Sequence, residues 1–151
     1  GGEFHCGQWV ENATILTALS CGIIRPSRQA GLKMGDLKAL TVALQAFRDA
    51  RNWQQFHSLR NLIVSLNLEA AELLELTQWK NDAEVEAIPA DPQAAEALRD
   101  ECADILLLLL LVADKAGIDL EAAAYAKLRK NEDKYPVEKA YGSRAKYTEL
   151  G

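Results

Sequence analysis

Residues 59–80 read LRNLIVSLNLEAAELLELTQWK, and the spacing of the leucines in this stretch decides the fold. Leu59, Leu62, Ile63, Leu66, Leu73, Leu74 and Leu76 recur at three- and four-residue steps, the period of a helix with one apolar face. The pattern predicts a helix from about Ser58 to Trp79, with the Ser58 hydroxyl as N-cap. Two acids break the stripe. Glu69 follows Leu62 and Leu66 and precedes Leu73 at steps of four, three and four, so it lies within the apolar face and should be partly buried. Glu72 shares a neighbouring stripe with Leu68, Leu76 and Trp79, one turn further along the same side.

The same period extends outward in both directions. Leu37, Leu40, Leu44 and Phe47 predict an earlier helix ending near Arg51. Asp91-Pro92 is a cap followed by a first-turn proline, which starts a third helix running to Ala116, where Gly117 stops it. Asp119 caps a fourth helix through Lys134, ended by Pro136, and the last 15 residues read as an irregular tail. No stretch alternates with period two, so the expected fold is all-α, a four-helix bundle. The third helix is apolar almost all round from Ile105 to Ala113, which demands cover on several sides; oligomerisation is expected to supply it, the alternative being a well-covered central helix in a monomer.

Composition narrows the classes of function. A chain of 151 residues suits one domain, and a net charge of -5 speaks against a binder of nucleic-acid polymers. The three cysteines, Cys6, Cys21 and Cys102, form no CxxC pair and fit a reducing cytoplasm. The apolar run of the third helix is bounded by Asp104 and Asp114 and is too short to cross a membrane. Met34 is the only methionine, and the segment before it shows no sustained helical period. Residues 1–33 are therefore expected to be a non-native or upstream extension, with the domain spanning 34–151.

The third helix repeats the acidic arrangement with Glu101 and Asp104, again three residues apart, at the start of the leucine tract. If the two helices pack antiparallel, Glu69, Glu72, Glu101 and Asp104 gather at one place. Four carboxylates partly withdrawn from water repel one another unless a cation neutralises them, and all-oxygen ligation favours Mg²⁺, with Mn²⁺ as a substitute. Ordinary surface acids are the competing reading for either pair alone. Charge is also segregated along the chain: residues 60–104 carry 11 acids against three bases, whereas residues 125–151 carry seven bases against four acids. Lys127, Asn131 and Lys134 share one helical face and could hold phosphate oxygens, although a solvated basic face has the same spacing. Trp53, Phe56 and His57 precede the second helix and Trp79 ends it. They could stack on a flat base or simply pack in the core, and the two groups meet only if another helix or subunit folds across.

The motif Glu69-Ala-Ala-Glu72, 28 residues, then Glu101-Cys-Ala-Asp104 resembles the ExxE…ExxD signature of the all-α, MazG-like nucleotide pyrophosphohydrolases. Arg51-Asn-Trp-Gln-Gln-Phe-His57, Arg60-Asn-Leu62, Glu72 to Lys80, Lys127-x-x-x-Asn131-x-x-Lys134-Tyr-Pro136 and Lys146 to Leu150 resemble its dCTP pyrophosphatase branch. The resemblance covers Leu37 to Leu150. Leu68 departs from it, standing where many relatives carry a further glutamate. It implies Mg²⁺-dependent cleavage of a nucleoside triphosphate, dCTP or a related dNTP, to monophosphate and pyrophosphate, a house-cleaning role in the nucleotide pool. It implies that Glu69, Glu72, Glu101 and Asp104 are metal ligands and catalytic groups. Lys127, Asn131, Lys134 and Lys146 would contact phosphates, and Trp53, Phe56, His57 and Trp79 would form the base pocket, partly across a boundary in a homodimer or homotetramer. The alternative is a non-catalytic MazG-like module that binds nucleotides or a protein partner.

Overall fold

The computed structural model describes residues 36–149, so the expectation for residues 1–33 lies outside the described residues. The elements in chain order are α1 (Leu37–Asp49), a 3-10 turn (Trp53–Phe56), α2 (Leu59–Glu75), α3 (Asp82–Glu86), a 3-10 turn (Ile88–Ala90), α4 (Pro92–Ala116), α5 (Leu120–Lys134) and α6 (Val137–Ala140). No strand occurs among the described residues, in agreement with the all-α expectation. No helix among them is long and apolar enough to cross a membrane. The chain divides into two compact units, one ending at Ala116 and the other beginning at Gly117.

Local chemistry sets the helix ends. Asp36, Ser58, Asp91 and Asp119 each accept a hydrogen bond from a backbone N–H of the first turn they precede, at 2.9, 3.1, 2.8 and 3.0 Å. Gly117 takes φ 65 just beyond α4, the left-handed conformation that closes a helix at little cost in glycine. The second helix is shorter than its leucine period predicts, ending at Glu75 rather than Trp79. Two local features account for this. Thr77 Oγ1 donates to the Leu74 carbonyl at 2.8 Å, and Trp79 adopts φ 62, which no right-handed helix accommodates. The sequence reading also missed α3, where Asn81 and Glu84 form a reciprocal capping box over a five-residue helix. It missed α6 in the expected tail as well.

In the first unit α4 is the central element, packed along α2 and also against α1. Its leucine tract supplies half of the buried apolar residues, Leu108, Leu110, Leu111 and Ala113, together with Leu44 of α1, Leu62 of α2, Ile88, and Ala95 earlier in α4. Each large aliphatic side chain so removed from water contributes about 1.5–3 kcal/mol. Ile63, Val64, Leu68 and Leu74 of α2 remain exposed, so the apolar surface of that helix exceeds what α1 and α4 cover.

Candidate active site

The direction of packing follows from which charges meet. Arg48 near the end of α1 reaches Asp114 near the end of α4 at 3.5 Å, so α2, which follows α1 after a short turn, starts beside the end of α4, while Glu69 and Glu72 further along α2 meet Glu101 earlier in α4. The two helices therefore run antiparallel, and each i, i+3 acid pair faces the other. One carboxylate oxygen from each of Glu69, Glu72 and Glu101 lies within 4.8 Å of the others, a spacing that one cation can span. Asp104 falls outside this three-residue group, yet it is close enough to push the Glu69 carboxyl upward.

The electrostatics record the crowding. The Glu69 carboxyl is pushed up to about 7, first by burial and then by Glu72, Asp104 and Glu101. Glu69 is the buried acid of the set, with 4% of its surface exposed. Burial also raises Glu101, assisted by Glu72, Asp104, Asp100 and Glu75, and raises Asp104, assisted by Asp100 and Glu72. Asp100 and Glu75 are exposed flanking charges that the helical stripes did not single out. Glu101 Oε2 is buried with no hydrogen-bond partner among the described residues. A buried carboxylate oxygen without a donor is costly, and a divalent cation held jointly with Glu69 and Glu72 removes that cost. The donor set is all oxygen, so the residues present fit a hard cation.

The aromatic candidates separate into two groups. Trp53 packs edge-on against Phe47, centroids 5.8 Å apart and planes at 74°, and Phe56 is 53% exposed. His57 is half-buried, its Nδ1 has no partner among the described residues, and its pKa is lowered by burial and by Arg48, with Asp49 opposing and Lys115 adding to the fall. Trp79 lies beyond the other end of α2, whose 17 residues span about 25 Å. Its indole is 94% exposed on a backbone with φ 62, so it is not a core residue. One copy of the first unit thus keeps Trp53, Phe56 and His57 apart from Trp79. Within the second unit, Lys127 and Lys134 are exposed on α5, with Asn131 between them on the same face. The Lys134 ammonium lies 4.9 Å from the Tyr147 ring centroid, and Lys146 precedes that tyrosine in the exposed tail.

A buried arginine that the sequence reading passed over sits near the start of α2. Arg48 is 9% exposed and pairs with Asp49 at 2.7 Å and with Asp114 at 3.5 Å, while Gln45 donates to Asp114 at 2.8 Å. Its position one step after Phe47 on the stripe of α1 was the only available signal.

The fold and site together define an all-helical protein with a carboxylate cluster, consistent with metal binding, between two antiparallel helices. The MazG-like family pattern matches residues 64–150, and the chain belongs to that family. It is 41% identical over 104 residues to dCTP pyrophosphatase 1 of Rattus norvegicus, a match covering 69% of this chain and 61% of the relative. The corresponding protein of Homo sapiens is 40% identical over the same length. The chain thus spans about three fifths of the length of these curated relatives. A solved pyrophosphatase from Archaeoglobus fulgidus superposes with a TM-score of 0.62 at 37% identity, covering 70% of this chain and 97% of that one.

Proposed function

We propose that this protein is a nucleoside triphosphate pyrophosphohydrolase that uses Mg²⁺, with Mn²⁺ as a substitute, to cleave the bond between the α- and β-phosphates of dCTP or a related dNTP. The products are the monophosphate and pyrophosphate. One observation carries the reading: three acids from two helices converge within 4.8 Å, and one of them has a buried, unpartnered oxygen. Likeness to proteins named dCTP pyrophosphatase and pyrophosphatase supports both the reaction and the base.

Glu69, Glu72, Glu101 and Asp104 hold the cation, the first three through oxygens that lie within 4.8 Å of one another. When bound, the cation offsets the charge of the phosphate oxygens and lowers the pKa of water at the site. The protein supplies the rest. One carboxylate of the cluster orients or deprotonates the water that attacks the α-phosphorus. Lys127, Asn131, Lys134 and Lys146 are the residues proposed to contact the phosphates. Trp79 stacks on the base on one side, and Trp53, Phe56 and His57 of a second copy close the other. The exposed apolar residues of α2 support that association in a homodimer or homotetramer. The domain corresponds to residues 34–151.

Incubation with a panel of dNTPs and Mg²⁺, with pyrophosphate and monophosphate measured together, tests the proposal. Equimolar release of the two, fastest with dCTP, is the expected result. Release of orthophosphate would exclude α–β cleavage, and tight nucleotide binding without turnover would establish the non-catalytic module instead.

A further inference from the structure

The turn between α1 and α2 holds an arginine to which the proposed reaction assigns no task. Arg51 follows the last turn of α1, where its Nη1 donates to the Phe47 carbonyl at 2.9 Å and its guanidinium carbon lies 3.5 Å from the Phe47 ring centroid. Asn52 then takes φ 55, a left-handed conformation that asparagine tolerates better than most residues. That reversal brings Trp53 back against the edge of Phe47, with the Arg51 guanidinium 5.7 Å from the indole centroid. A planar cation is therefore held against one ring and beside a second, at the margin of the half-buried Trp53. Arg51 itself is exposed, and the bond to Phe47 is the one hydrogen bond its side chain makes among the described residues. A guanidinium has five N–H donors, so most of the fork is unspent.

We infer that Arg51 is a specificity-determining residue, whose fork donates to N3 and O2 of a cytosine stacked on Trp53. The inference rests on the assignment of Trp53 to the base in the proposed function. Cytosine has two adjacent acceptors on its pairing edge. Thymine places an N–H between its two carbonyls, so the same fork would meet a donor and leave polar groups unpaired. Guanine carries an adjacent acceptor pair only on its other edge, O6 and N7. The planar fork matters more than the charge, since an ammonium cannot reach two acceptors in that geometry.

The test compares wild type with Arg51→Lys and Arg51→Met. Binding of dCMP, dTMP and dGMP is followed by quenching of tryptophan fluorescence, alongside thermal midpoints and kcat/KM for the triphosphates with Mg²⁺. Wild type should prefer dCMP, and Arg51→Lys should weaken dCMP binding by about tenfold while moving dTMP by less than about twofold. Its thermal midpoint should hold, because lysine can still reach the Phe47 carbonyl. Equal weakening of all three nucleotides would mean that the guanidinium only stabilises the turn, and would overturn the inference. Unchanged dCMP affinity, or a wild type that prefers dGMP or dTMP, would overturn it too. The binding measurements stand apart from turnover. A wild type that selects dCMP through Arg51 but releases no pyrophosphate would refute the proposed reaction and uphold this role for Arg51.

Discussion

Two acidic clusters sit along α4, one shared with α1 and the other with α2, and have opposite electrostatics. Near the start of α2, Asp49 and Asp114 lie against the buried Arg48, and the guanidinium holds the Asp49 carboxyl below its ordinary range. Three turns further along α2, Glu69, Glu72, Glu101 and Asp104 gather with none of the described salt bridges among them, and three of the four are pushed upward. Both arrangements place charge against the same apolar core. The first is closed by its own cation and serves the packing of α1 on α4. The second is left open to a cation from outside, which is what a binding site requires and a purely structural cluster avoids.

Removing one charge from the open cluster is the severest way to break this contrast. Glu101→Gln should abolish Mg²⁺-dependent turnover at nearly constant side-chain volume, with the helical circular dichroism unchanged. In metal-free buffer at neutral pH the same variant should melt higher than wild type, because one member of a repelling set has been neutralised. Near-normal activity in the folded variant would show that the cation is held elsewhere.

A smaller effect is expected at Trp79, outside both clusters. Trp79→Ala should raise KM by roughly ten- to a hundredfold, since stacking on an aromatic ring contributes about 1–3 kcal/mol per base. The melting temperature should scarcely move, because an indole 94% exposed has little packing to lose. A sharp fall in melting temperature with unchanged kinetics per folded molecule would return the residue to a structural role.

In the closed cluster the expected loss is of stability. Arg48→Met removes the partner of Asp49 and Asp114 and should cost about 1–3 kcal/mol, a drop of several degrees in melting temperature. Metal dependence should be unaffected. If Mg²⁺ affinity changed instead, the two clusters would be coupled rather than independent.

The finest distinction is one of sign. A carboxyl whose pKa is raised on folding holds its proton more tightly in the native state, so the metal-free protein should lose stability as pH rises from about 4.5 to about 7 through Glu69. Asp49 acts in reverse: its pKa is lowered, so its contribution is present above the unfolded value of 3.8 and is lost as pH falls through the folded one. Glu69→Gln should flatten the first slope, by about 1 kcal/mol after solvent screening, and leave the second. Urea midpoints measured across that range with a chelator present would show it. An unchanged slope above pH 4.5 would mean that Glu69 is not the group responsible.

The sequence by itself determined most of the helices and where they begin. Caps and periodic leucines act within a few residues, so Ser58, Asp91, Asp119 and Gly117 could be read without knowing what lies opposite. It also identified Glu69 as an acid on an apolar face. Local signals were read less well where they competed, as at Glu75, where the leucine period continued past a threonine bond and a left-handed tryptophan. Only the tertiary structure decided which acids meet. The period of a helix states which side chains share a face and is silent about the partner of that face, so the convergence of Glu69 and Glu72 with Glu101 depends on the register of α2 against α4. The same physics hid the Arg48 cluster and the Arg51 platform. Both are assembled from residues whose helical spacing looks ordinary, and they exist because the end of α1 and the turn after it fold back against α4 and Phe47.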